Sequence, residues 1–490
     1  MDLSLWIARH ARFSPHVVAI RFEGEDITYA AFARRIDRAA GALSGRGVKR
    51  GDAVAFLGVN HPAVLVLLFA CARLGAMFVP LNWRLAPPEI ARVLADCPPR
   101  ALFVDEDFAP QVRTVDSPVE PLPLAVLESE TTTAPLRAGE PHSPLLLCYT
   151  SGATGAPKGV VLTQRALTWN AVNSAHMHDL TSADRVLTTL PMFHVGGLNI
   201  QTTPALHAGA TVVLHARFDP AAALDAIERE RITLAVLVPA QLGAMMALPR
   251  WQGADLSSLR MITTGSTIVP EAFVRKVSAR GVPLIQVYGA TETCPIASYV
   301  RAADAERKAG SAGAPALHCE VKVVGESGAA QPAGADGEIL VRGPNVATGY
   351  WNAPDRTAEA FKDGWYCSGD IGHFDDDGHL YVVSRRKDMI ISGGENVYPT
   401  EVESVLAACP EIEEACVFGG PDARWGEKVV AAVVVKAGCR ITRDQVMALF
   451  EGRIARYKHP REVRFLDRLP RTALGKVRKE DVRAAVLGGQ

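Results

Sequence analysis

The chain has 490 residues, 48% of them hydrophobic, which is enough to bury a large core and long enough for more than one domain. Lysine and arginine total 52 against 53 acidic residues, so no basic field draws nucleic acid or anionic lipid, and nucleic-acid binding is disfavoured. The nine cysteines include no CxxC pair, which speaks against a disulfide framework or zinc knuckle and for a reduced, cytoplasmic protein.

The opening MDLSLWIARHARFSP lacks the ordered basic, apolar and small-residue regions of an export signal. An apolar run from Pro62 to Leu81 is broken by Arg73 and Gly75 and closed by Pro80. It predicts a buried helix, Ala63 to Leu74, and a short buried strand rather than an integral membrane segment. Through the first half, helical stretches alternate with runs of Val, Ile and Leu at Asp52 to Leu57, Thr211 to Leu214, Ala235 to Val238 and Leu284 to Tyr288, the pattern of layered α/β structure with largely parallel sheets. His176 and His178 lie on such a helical stretch, but residues two apart do not face each other, and no metal role is assigned to them.

After about Gly310 the texture turns to short strands and tight turns, at Glu320 to Val324, Glu338 to Arg342 and a hairpin around Asp377-Gly378. Beyond Arg386 it changes again, to a helix Pro399 to Ala408, strands Ala415 to Phe418 and Val429 to Val435, and a helix Arg443 to Ala455. The expected fold is α/β: a large N-terminal domain of layered α/β subdomains plus a β-rich subdomain, residues 1–384, then a small α+β domain, residues 385–490.

The strand Leu145 to Tyr149 runs into Thr150-Ser151-Gly152-Ala153-Thr154-Gly155-Ala156-Pro157-Lys158-Gly159. Glycines let backbone N–H groups approach a polyphosphate, hydroxyls add donors, and lysine adds a point charge. The P-loop spacing does not fit, because Pro157 precedes the lysine and Gly159 follows it. On composition alone, a Gly/Ser/Thr surface loop is the favoured reading.

In its order, however, this segment resembles the signature loop of the adenylate-forming superfamily of acyl-CoA synthetases, adenylation domains and firefly-type luciferases, with Ala153 where a second threonine is usual. The resemblance is nearest to fatty-acid and aryl-acid CoA ligases and runs through nearly the whole chain. It implies that Thr150, Ser151, Gly152, Thr154, Gly155 and Lys158 cradle the phosphates of ATP. In Tyr288-Gly289-Ala290-Thr291-Glu292 it implies Tyr288 against adenine, Thr291 at the α-phosphate and Glu292 on Mg2+. Asp370 of the Trp365 to Asp370 segment would take the ribose hydroxyls, although Cys367 and Ser368 depart from the usual residues. Arg385 would reach the nucleotide, and Lys387 would be the hinge of a mobile C-terminal domain. Gly393 and Gly394, with Trp425, would line the coenzyme A arm, and Lys476 in Pro470 to Lys476 would contact the reacting carboxylate and α-phosphate.

The segment Pro191-Met192-Phe193-His194 resembles the acyl-pocket segment, with His194 closing over the acid. The pocket expected around it comprises His194, Val195, Gly196, Gly265, Ser266, Val287, Gly289 and Cys294, mostly small or apolar. No aspartate follows Phe193 to pair with an ammonium, which disfavours amino acids, and Val287 stands where malonate ligases place arginine.

The expected reaction is activation of a carboxylic acid by ATP with Mg2+ and transfer of the acyl group to coenzyme A. A medium- or long-chain fatty acid is favoured, and a benzoate- or cinnamate-like acid is the alternative. A carrier-protein thiol as acceptor and a silent nucleotide-binding scaffold are the further alternatives. A luciferase-like oxidase is disfavoured because the final residues do not spell a peroxisomal address. The oligomeric state stays open, a homodimer among the options.

Overall fold

The computed structural model describes residues 2–128, 137–150, 157–265, 269, 271–385, 389–470 and 477–488. Among these residues the strands form four sheets. The nine-stranded sheet is parallel at its centre, where Leu284–Tyr288, Met261–Thr264, Leu234–Val236, Arg185–Thr188, Thr211–Leu214 and Val18–Phe22 lie in that spatial order, and antiparallel at both edges. The seven-stranded sheet is parallel through Met77–Leu81, Ala53–Leu57 and Ala101–Val104, and it carries the antiparallel pair Pro144–Thr150 and Lys158–Thr163.

Parallel strands covered on both faces read as unbroken apolar runs, and every residue of Ala53–Leu57 and Met77–Leu81 is buried. Both large sheets contribute to one core, packed with the helix Pro62–Leu74, all of whose side chains are buried. That helix begins where the His61 ring accepts from the Ala63 N–H with Pro62 in the first turn, and it stops at Gly75, whose φ of 69° suits a residue without Cβ.

A five-stranded antiparallel sheet follows, built from Glu320–Val324, Gly337–Arg342, Trp365–Phe374, Phe361–Lys362 and Leu380–Arg385. The smaller C-terminal domain is a β-rich unit in which Ile412–Asp422 and Gly426–Val435 form a long hairpin, extended by Ile390–Ser392 and Glu395–Val397 and flanked in parallel by Glu462–Phe465. Its two apolar clusters draw only on residues from Ile390 onward, so its core is separate from that of the sheets before it.

Two expected elements end two or more residues before their expected ends. The helix from Arg443 ends at Ala448 rather than Ala455, and Gly452 follows at a φ of 70° that a regular helix does not admit. The strand expected over Ala235 to Val238 stops at Val236, because Val238 is extended and caps the helix Pro239–Met246. The parallel strands of the nine-stranded sheet end at a common edge. Thr189, Val238, Val287 and Gly289, at or just beyond those strand ends, line a single large cavity there, the usual place for a ligand in such a sheet.

Candidate active site

The residues on either side of the expected phosphate loop lie on paired strands. Thr150 and Lys158 pair across Pro144–Thr150 and Lys158–Thr163, while Ser151, Gly152, Thr154 and Gly155 lie outside the described residues. Lys158 Nζ donates to Glu292 Oε1 at 2.9 Å and to the Tyr350 hydroxyl at 3.0 Å, and Tyr350 in turn donates to Glu292 at 2.6 Å. Burial alone would push the Glu292 carboxyl up, but the Lys158 ammonium and these hydrogen bonds hold it below its usual value, so it stays ionised. Burial, followed by the Glu292 charge, pushes the Tyr350 phenol up and keeps it a neutral donor.

Among the described residues no three His, Cys, Asp or Glu side chains come together as a metal site. His178 is buried between Ser174 and Thr263, with its pKa lowered by burial to about 4, and His176 meets Tyr299 instead. Glu292, the expected Mg2+ ligand, would offer a divalent ion one carboxylate among the described residues, leaving the rest of its shell to substrate phosphates and water, the manner in which Mg2+ is commonly held. Thr150 Oγ1 is buried on the wall of the same cavity without a protein hydrogen-bond partner among the described residues, a further group suited to a phosphate oxygen.

Strand register brings the expected ribose and nucleotide residues side by side, with Asp370 opposite Arg385 across Trp365–Phe374 and Leu380–Arg385. Asp370 is buried and accepts from the Tyr288 hydroxyl at 2.9 Å. Asp370, Thr291 and Glu292 share the cavity with His194, Val195, Gly196, Val287 and Gly289, and with Gly393, Gly394 and Trp425 from the C-terminal domain. Its volume is about 1250 Å³.

Cys294 is not brought to this cavity. Its backbone is left-handed at a φ of 73°, its side chain is wholly buried against Asn199, and Pro295 takes its place on the wall. Gly265 sits behind the wall, where a Cβ would meet the Val287 carbonyl at 2.6 Å, and Ser266 lies outside the described residues. Two neighbouring glycines differ sharply. A Cβ at Gly197 would meet the carbonyl oxygens of Pro191 at 2.3 Å and Leu190 at 2.6 Å, whereas at Gly196 the nearest atom is Ile200 Cδ1 at 4.0 Å. Gly197→Ala is therefore expected to cost about 3 kcal/mol, since backbone cannot yield as a side chain can, and to lower the thermal midpoint measurably while Gly196→Ala leaves it in place. Equal midpoints for the two variants would refute the packing argument.

The sequence reading missed the polar contacts that close the site from the C-terminal side. Glu395, in the hairpin just after Gly394, is buried between Arg84 and His194, whose Nε2 lies 3.0 Å away. Burial would raise this carboxyl, yet His194 and Arg84 hold it below its usual value. Lys458 is 3% exposed and reaches Glu89 at 2.7 Å and Glu401 at 2.9 Å. Trp425 packs between the Arg424 and Arg461 guanidiniums, 4.8 and 4.4 Å from its ring, and a Cβ on Gly393 would strike its indole at 2.5 Å. Lys387 and Lys476 lie outside the described residues.

A buried carboxylate tied to a lysine at one end of the expected phosphate loop, a buried aspartate on a neighbouring sheet, and a small domain lining the same cavity fit an adenylate-forming enzyme. The family model "AMP-binding enzyme" matches residues 7–351 and "AMP-binding enzyme C-terminal domain" matches residues 401–476, and the chain belongs to this family of ATP-dependent acyl- and aryl-CoA ligases. It is 57% identical to an indoleacetate–CoA ligase of Aromatoleum aromaticum over 99% of this chain and 98% of that one. It is 45% identical to a feruloyl-CoA synthase of Amycolatopsis sp over 98% of each. Among solved structures it resembles o-succinylbenzoate CoA synthetase of Bacillus subtilis at 33% identity. For a double mutant of that protein bound with a product analogue the TM-score is 0.90, with 98% of each chain covered. For the same protein with ATP and a magnesium ion it is 0.73, with 98% of this chain and 99% of that chain covered. The arrangement described above is thus nearer to the product-analogue complex.

Proposed function

We propose that the protein is an aryl-acid–CoA ligase, acting on a carboxylic acid with an aromatic ring in place of the fatty acid favoured from pocket composition. The observation that carries the reaction is the single cavity joining Asp370 and Glu292 to His194 and Gly196 and onward to Gly393, Gly394 and Trp425. One chamber then holds nucleotide, acid and thiol in sequence. The aromatic class is supported by relatives of nearly equal length named for indoleacetate and ferulate.

In this reading a carboxylate oxygen attacks the α-phosphate of ATP, pyrophosphate leaves, and the acyl-adenylate forms; the thiolate of coenzyme A then attacks the acyl carbon and AMP departs. Lys158 and Lys476 stabilise the charge of the first step, Thr291 orients the α-phosphate, Asp370 holds the ribose and Arg385 reaches the nucleotide. Glu292 and the phosphates would hold Mg2+, which would supply further positive charge there. Residues 385–490 form the lid, turning about Lys387 between the two steps, with His194 closing the acid site. The scattered free cysteines support a cytoplasmic setting.

The test is to incubate the protein with ATP, Mg2+, coenzyme A and a panel of aryl and fatty acids and to measure AMP and acyl-CoA by mass, with Lys476→Ala beside it. Aryl-CoA from the wild type, lost by about two orders of magnitude in the variant, is the expected result. Turnover of fatty acids alone would overturn the aromatic assignment.

A further inference from the structure

The helix Pro239–Met246 presents two different faces. Leu242 and Met245 point into the protein core and are fully buried, while Ala240, Gln241 and Ala244, with Val238 just before them, line the cavity. Three of these four cavity residues offer only carbon side chains. Gln241 is the exception, and its Oε1 is buried without a hydrogen-bond partner among the described residues. Such atoms are uncommon in folded proteins, because a carbonyl that gives up water and gains nothing costs free energy, and on the wall of a substrate cavity the natural compensation is a donor on the substrate.

We infer that Gln241 determines which aromatic acid this enzyme prefers: its side-chain amide accepts a hydrogen bond from a ring N–H of a bicyclic aromatic acid. The inference rests on the aryl-acid reading above and deepens it. A ring N–H entering an apolar chamber loses its water, and unless an acceptor meets it the transfer is unfavourable. The terminal torsion of glutamine is broad and nearly two-fold, so the amide can turn its oxygen to the cavity without disturbing the helix. A ring of the same shape without the N–H leaves the acceptor as it finds it, and the difference between the two rings becomes the enzyme's selectivity.

The experiment compares kcat/KM for indole-3-acetate and naphthalene-1-acetate, two-ring acids with and without a ring N–H, in the wild type, Gln241→Met and Gln241→Leu, with thermal midpoints recorded for each. The wild type should favour the indole acid by about tenfold, the worth of one well-placed hydrogen bond in a dry site. Both variants should bring the ratio to within about twofold by losing on the indole acid while the naphthalene acid is kept or improved. A ratio unchanged in two variants that keep the wild-type midpoint overturns the role of Gln241 and leaves the aryl-acid reading standing. No turnover of either ring, with fatty acids accepted, overturns that reading and the inference with it.

Discussion

Glu292→Gln should lower acid-dependent pyrophosphate exchange, the measure of adenylate formation, by about two to three orders of magnitude, the loss that follows when one preorganised electrostatic group is taken from a transition state. The amide keeps the shape and one acceptor but loses the charge, and with it both the ligand for a hard cation and the counter-charge of Lys158 at 2.9 Å. Tyr350→Phe is the control. It removes the 2.6 Å hydrogen bond to the same carboxylate and leaves the charge, so exchange should fall by only about tenfold. Similar losses in the two variants would mean that Glu292 works as a hydrogen-bonding scaffold rather than as a charge.

Lys458→Ala should divide the two half-reactions. The ammonium lies between Glu89 on the N-terminal side and Glu401 on the C-terminal side, with all three groups buried. Its loss leaves two carboxylates facing each other, a penalty of about 3 kcal/mol or more for breaking a buried ionic cluster, borne by the docked arrangement alone. Thioester formation from preformed adenylate should then fall by about two orders of magnitude, while pyrophosphate exchange stays within about threefold. Burial, outweighing Lys458, already holds the Glu401 carboxyl above its usual value, and the variant loses the ammonium that lowers it. Docking by the variant is accordingly supported below that raised pKa and lost as pH rises through it, and thioester formation should recover in part on the acid side. Equal loss in both half-reactions at every pH would exclude the latch.

Much of the N-terminal architecture was legible because its signals are local. The runs at Ala53–Leu57 and Met77–Leu81 are apolar without interruption, and Thr211–Leu214 and Leu284–Tyr288 are mostly so, with one threonine and one glutamine; burial on both faces of a sheet is what writes such runs. The site motifs are short and contiguous for a similar reason, since a phosphate hairpin or a strand end confines its chemistry to a few neighbouring residues. What stayed hidden is pairwise and distant. Tyr350 meets Glu292 across 58 positions, Arg84 meets Glu395 across 311, and Lys458 meets Glu89 across 369, and no local pattern marks either member of such a pair. Glu395 stood inside a motif already quoted, yet only the docked domains reveal what it touches. Cys294 erred in the opposite way: it was named among the small or apolar pocket residues, whereas it has a left-handed backbone and a side chain buried in the core.

The contacts linking Glu395 and Lys458 to the N-terminal domain are charged rather than oily. If this domain releases during turnover, as proposed above, its inner surface returns to water each time, and an apolar seam would offer that surface to any passing neighbour. Carboxylates and an ammonium re-hydrate on release and leave nothing adhesive behind. They also discriminate, because a misaligned closure strands a charge in a dry place. In that reading the residues that hold the small domain in place are also the ones that keep its released face from sticking.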